Sequence, residues 1–229
     1  MLDLAQVDVD GAVRETMDAA TESAPTSLVT RAGLLGSGLA GGAALLGLLA
    51  PRASAATLSK GDIAILNFAL TLEYLEATFY TRAENGGALS GELATFASVV
   101  GAHERAHVAA LQKVLGRRAV KKPRFDFRGT TASASKFAAT AQKLEDTGVA
   151  AYKGQAPKIR SDAILEAALA IHAVEARHAA WIRDINGAPP APTAFDQPKT
   201  RGQILAAVAA THFIVPARTT PNRRPRFTG

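Results

Sequence analysis

Two segments of the chain carry a glutamate and a histidine three positions apart: Glu104 with His107, and Glu175 with His178. On a helix that spacing sets both side chains on one face. A Glu-x-x-His pair on each of two helices, joined by one glutamate from each of two others, is the donor set of a dinuclear carboxylate site in a four-helix bundle. Glu73 and Glu145 supply the two remaining carboxylates. Random placement of ten Glu and five His in 229 residues gives well under one Glu-x-x-His pair. Here there are two, about seventy residues apart.

These residues interrupt apolar stripes. The first stripe reads Leu66, Leu70, Glu73, Ala77, Tyr80, and the second Leu93, Val100, Glu104, His107, Leu111. The third reads Ala138, Ala141, Glu145, Gly148, Tyr152, and the fourth Ile164, Ala168, Ile171, Glu175, His178, Ile182. Each follows the three-four spacing of a core-facing helix surface. Four ionised carboxylates in a core are prohibitively unfavourable unless compensated. Two divalent cations compensate them charge for charge. The chain has no cysteine, so donors are oxygen and imidazole only. That set suits iron or manganese and can also take zinc. Disulfides, iron–sulfur clusters and a cysteine nucleophile are excluded.

The elements that position the stripes can be bounded by caps and breaks. The first helix is expected from Lys60 to Arg82, with Ser59 as N-cap and Asp62 closing an approximate capping box. Asn85-Gly86-Gly87 ends it. The second is expected from Gly91 to Leu115, about 38 Å long. A basic stretch from Arg117 to Thr131 follows. Its roughly 15 residues can span about 50 Å when extended, enough to cross the length of a bundle. The third helix is expected from Ser133 to Tyr152, broken by Lys153 to Pro157, and the fourth from Ile159 to Ile185. Pro189 and Pro190 block continuation. The fold expected is all-α: an antiparallel four-helix bundle over residues 57–187, with a long crossover between its second and third helices. A tail over 188–229 holds one short apolar helix, Ile204 to Ile214.

The two helical hairpins repeat. Glu73 is followed seven positions on by Tyr80, and Glu145 by Tyr152. Glu73 maps to Glu145 and Glu104 to Glu175 at offsets of 72 and 71 positions. Alanine-rich composition alone does not align Glu, Tyr and His, so an approximate two-fold axis through the candidate ligands is expected.

The net charge of +6 is local. Six Lys/Arg lie in residues 116–128 against Asp126, and six in 187–229 against Asp196. With those twelve cations and two aspartates set aside, the 26 basic and 20 acidic residues become 14 and 18. The basic stretches are candidates for contact with an anionic envelope polymer. Residues 1–30 are polar and read as a disordered leader. Residues 31–56 are apolar and glycine-rich, and end in Ala53-Ser54-Ala55, the pattern of a secretory signal cleaved near Ala55. A single arginine, Arg31, opens the apolar run, so the pair of a twin-arginine signal is absent. Export makes nucleic acid the least fitting partner.

On residues 67–76 (Asn-Phe-Ala-Leu-Thr-Leu-Glu-Tyr-Leu-Glu), His103-Glu104-Arg105-Ala106-His107 and Glu175-Ala176-Arg177-His178, the chain resembles the ferritin-like superfamily, and most closely its exported ferritin-like domain proteins. The resemblance runs over about residues 57–215. It implies a di-iron carboxylate centre. Glu104 and Glu175 would bridge, with Glu73 and His107 completing one metal and Glu145 and His178 the other. Tyr80 and Tyr152 fall where relatives place tyrosines bonded to ligands. Glu76 is an extra ligand in some peroxide-reducing relatives, but is expected here at the rim. His103 and His172 lie near the ligand faces, where either could support a ligand, and are expected to be partly exposed. The implied functions are Fe(II) oxidation by O2 or peroxide, a manganese-dependent peroxide-consuming activity, or a non-catalytic metal-binding stress protein. A second copy of the chain is a candidate partner.

Overall fold

The computed structural model describes residues 58–216. The leader, the signal-like segment and the last thirteen residues lie outside them. Four long helices and one short one carry the fold: α1 (Lys60–Gly86), α2 (Gly91–Leu115), α3 (Ala134–Gln155), α4 (Asp162–Ile185) and α5 (Arg201–Thr211). Two-residue strands β1 (Arg124–Phe125) and β2 (Ile214–Val215) complete it. Helix α1 packs on α2 and α3 on α4, and the hairpins meet along an α1/α3 seam and an α2/α4 seam. This is the expected all-α bundle. Among the described residues no helix is long and apolar enough to cross a membrane.

Two helix ends lie beyond expectation. Helix α1 continues past Arg82 because Ala83 is buried and extends the core face. It stops where Gly87 adopts φ +67°. Helix α3 runs through Lys153 and Gly154 to Gln155. Gly154 does not break the helix. A Cβ there would lie 1.9 Å from the Lys199 carbonyl oxygen, so glycine lets the tail lie against α3. The Lys199 N–H donates to the Ala150 carbonyl at 3.1 Å. A 3-10 turn, Ala156–Lys158, holds Pro157, and α4 starts only at Asp162. Helix α5 begins at Arg201, earlier than expected, with Thr200 and Gln203 forming a reciprocal capping box.

The basic crossover is more than a solvated loop. From Arg124 to Arg128 its residues alternate exposed and buried, and Phe125 and Phe127 point inward. Phe127 packs edge-on against Phe79 of α1 and Phe213 of the tail, at centroid distances of 5.3 and 5.2 Å. Strand β1 pairs antiparallel with β2, Arg124 opposite Val215 and Phe125 opposite Ile214. Crossover and tail are thereby fastened to each other and to the bundle.

Asp62 has a role the capping expectation missed. The Ser59 hydroxyl oxygen accepts from the Asp62 N–H at 2.9 Å, as expected. The Asp62 carboxylate, however, accepts from the Arg160 N–H at 2.9 Å and ties the start of α1 to the α3–α4 link. Asp62 is 1% exposed. Removing a buried charged acceptor costs about 2 kcal/mol. Asp62→Ala is therefore expected to lower the unfolding free energy of the metal-free protein by about that amount in urea titrations, with metal stoichiometry unchanged. A loss near zero would show that this tie does not hold the hairpins together.

Candidate metal centre

All six candidate ligands come together midway along the bundle. Glu73 is on α1, Glu104 and His107 on α2, Glu145 on α3, and Glu175 and His178 on α4. All four glutamates are fully buried and the two histidines nearly so. His107 Nδ1 lies 3.3 Å from Glu73, 3.3 Å from Glu104 and 3.2 Å from Glu175. His178 Nδ1 lies 3.1 Å from Glu104 and 3.3 Å from Glu145. The donors fall into two overlapping sets, Glu73/Glu104/His107/Glu175 and Glu104/Glu145/Glu175/His178. Within each set one ligand atom per residue lies within 4.8 Å of the others. Glu104 and Glu175 belong to both.

The tyrosines bond crosswise between hairpins. Tyr80 of α1 donates to Glu145 of α3, and Tyr152 of α3 donates to Glu73 of α1. Each occupies one carboxylate oxygen and leaves the other turned inward. Six buried atoms of the cluster lack a hydrogen-bond partner: Glu73 Oε2, Glu104 Oε1, Glu145 Oε2, both Glu175 oxygens and His178 Nδ1. Buried polar atoms are rarely left unsatisfied. Convergent, unpaired oxygen and imidazole donors without sulfur fit divalent iron, manganese or zinc.

Glu76 corrects the expectation of a rim position: it is buried, at 4% exposure. It sits one turn after Glu73 on the α1/α3 seam and lines a small recess with Leu75, Thr147 and the tail residue Val208. Its counterpart in the repeat is Gly148. A Cβ at 148 would lie 3.5 Å from Glu76 Oε1 and 3.0 Å from Glu175 Oε2. The tight approach is to Glu175, while against Glu76 a Cβ would make an ordinary contact. The signal was present as a Glu in one hairpin against a Gly in the other. His103 is exposed, as expected, yet its ring reaches His178. His172 is half-buried and stands outside the cluster.

A family model for the ferritin-like domain matches residues 61–188. The chain belongs to the ferritin-like domain family. A search of curated proteins finds no match. The family match spans all four bundle helices and every candidate ligand, and stops before α5. Helix α5 and strand β2 lie beyond the matched residues, whereas β1 lies within them.

The electrostatics of the metal-free cluster follow from crowding. Burial and the Glu104 charge push the Glu73 carboxyl up to about 8. Burial, then Glu104, raises Glu175, and burial, then Glu175 and Glu145, raises Glu76. Burial also opposes ionisation of Glu104, but His107 and His178 outweigh it and hold that carboxyl well below the usual range. Burial disfavours charge on His178, yet the adjacent Glu104 and Glu145 carboxylates raise it to about 10. His107 is raised likewise by Glu73 and Glu104 against its burial.

This balance sets how stability responds to pH. Groups raised in the folded state retain protons that the unfolded chain releases, so their contribution is lost as pH rises through the folded values. Glu73 acts between its ordinary value near 4.5 and about 8, and His178 between 6.5 and about 10. Glu104 has the opposite sign, and its contribution is lost only in acid. Thermal melting of the metal-free protein is therefore expected to show a falling Tm from pH 6 to pH 9, a fall that Mn(II) or Zn(II) abolishes. A flat or rising profile would contradict it. At the seam beside Glu76, Gly148→Ala should crowd the Glu175 carboxylate and weaken metal binding about tenfold or more in calorimetry, with the helical content unchanged.

Proposed function

We propose that this ferritin-like protein binds two metal ions, iron by preference, and oxidises Fe(II) with O2 or peroxide. The observation that carries the reading is the pair of overlapping four-donor sets sharing Glu104 and Glu175. Bound there, the metals would supply one-electron redox chemistry at two adjacent centres. The balance is simple. Two Fe(II) give up one electron each, and O2 takes two electrons and two protons to leave as H2O2. With H2O2 as oxidant the same electrons and protons yield two waters.

The chain's own residues serve this in three ways. Glu104 and Glu175, shared by both sets, hold the two positions close together. Tyr80 and Tyr152 fix the carboxylates of Glu145 and Glu73 from the opposite hairpin, so these ligands are oriented before metal arrives. Glu76, its carboxyl raised by burial and by the neighbouring carboxylates, stands beside the cluster among apolar neighbours. Manganese in the same donors would make the site a peroxide-consuming one, and metal analysis of protein from iron-rich and manganese-rich media separates the two. With residues 31–56 as a cleaved export signal, the chemistry would protect the cell envelope from metal-driven oxidation.

Fe(II) added in air to metal-free protein is expected to develop ferric absorbance at two irons per chain. Glu104→Ala combined with Glu175→Ala should abolish the fast phase. Binding of two ions without oxidation would leave a metal-binding protein and remove the catalytic reading. Equal rates in the double variant would remove the site assignment.

A further inference from the structure

His103 lies outside both donor sets but touches one of their members. Its Nδ1 is 2.9 Å from Nε2 of His178, across the α2/α4 seam. The two rings are nearly parallel, at 16°. Nδ1 of His178 faces the other way, toward Glu104 and Glu145. A neutral imidazole carries one proton, and a nitrogen that offers its lone pair to a cation cannot hold it. With Nδ1 facing the metal position, the His178 proton must reside on Nε2. Among the described residues the acceptor within reach of that N–H is Nδ1 of His103. His103 then carries its own proton on Nε2, and as an exposed residue it can give that N–H to water.

The second half of the site has no such arrangement. His107 is the repeat counterpart of His178, and the counterpart of His103, 71 positions on, is Val174, which has no acceptor. Among the described residues none hydrogen-bonds Nε2 of His107. The two donor sets match residue for residue, yet only one of their histidines is held from behind.

We propose that His103 is a positioning residue for His178: by accepting the Nε2 proton it locks the ring with Nδ1 toward the metal, and so makes the Glu145/His178 position the tighter of two unequal metal positions. The proposal rests on the two-metal reading. Losing the outer hydrogen-bond partner of a ligating histidine typically weakens metal affinity about 10- to 100-fold. His107 would be indifferent to the change.

The test is a titration of the full metal-free chain with Co(II), followed by calorimetry and visible absorption. Wild type should bind two ions in two distinguishable steps. His103→Ala and His103→Leu should weaken one step about 10- to 100-fold and leave the other in place. His103→Asn, whose amide oxygen can stand where Nδ1 stands, should recover most of the loss. In the zinc-loaded protein, proton–nitrogen correlation spectra should show a slowly exchanging Nε2–H on His178 in wild type and His103→Asn, and fast exchange in His103→Ala and His103→Leu. If wild type takes up two ions and the Ala and Leu variants bind both as tightly, the positioning role is wrong and the two-metal reading stands. The positioning role also fails if both steps weaken equally and Asn restores nothing. If wild type does not take up two ions, both readings fall together.

Discussion

The structure turns on the burial of five carboxylates around one point of a helical core. In water each would be ionised and solvated. Inside the bundle each loses that solvation, and the charges repel one another at short range. The surrounding residues limit the repulsion. Two histidines stand among the oxygens, two tyrosines donate to them from opposite hairpins, and burial raises the carboxyls of Glu73, Glu76 and Glu175. Cations bound there would relieve the crowding, and on the proposed function their binding would release protons. Beside this point the bundle is packed as an ordinary apolar core. Phe79 stacks on Phe137 at a centroid distance of 5.1 Å, and both pack edge-on against Tyr80.

Holding such a centre requires rigid supports, and they come from long-range ties more than from the helices alone. Asp62 fastens the beginning of one hairpin to the bend of the other. Phe125 and Phe127 sink the crossover into the core, and the strand pair binds crossover to tail. Lys199 and Gly154 lay the tail along α3, and Val208 of α5 lines the same recess as Glu76. The basic side chains of the crossover point outward because the alternation of the strand sends its phenylalanines inward.

Much of this was legible in the chain, because the informative residues are costly to bury and recur at helical spacing. Glu73, Glu104, His107, Glu145, Glu175 and His178 each interrupt an apolar stripe, and the offset of 71–72 positions related one hairpin to the other. The start and end of α1 followed from Ser59 and from Asn85-Gly86-Gly87. What stayed hidden depends on partners far away in sequence. The depth of Glu76 requires knowing what opposes it on α3. The contact between His103 and His178 crosses 75 positions. Asp62 looked like a local cap because its true partner, Arg160, is 98 residues on. The pairing of β1 with β2 joins segments too short to carry a strand signal, and the alternation around Phe125 was masked by the charges beside it.

Gly148 bears on how such a chain can have arisen and be rebuilt. Two identical hairpins could assemble around a metal pair as a symmetric dimer, and the repeat preserves that outline. The present halves differ at this point, with Glu76 in one and Gly148 in the other. Two copies of the first hairpin would set Glu76 against a second Glu76 in space made for one. Two copies of the second would leave a void on both sides and no acid at either. Joining both hairpins in one polypeptide lets each position diverge separately, so the covalent crossover is a condition for the asymmetry and not only a connection. Any attempt to split this protein into interchangeable modules must carry both hairpins, one of each kind.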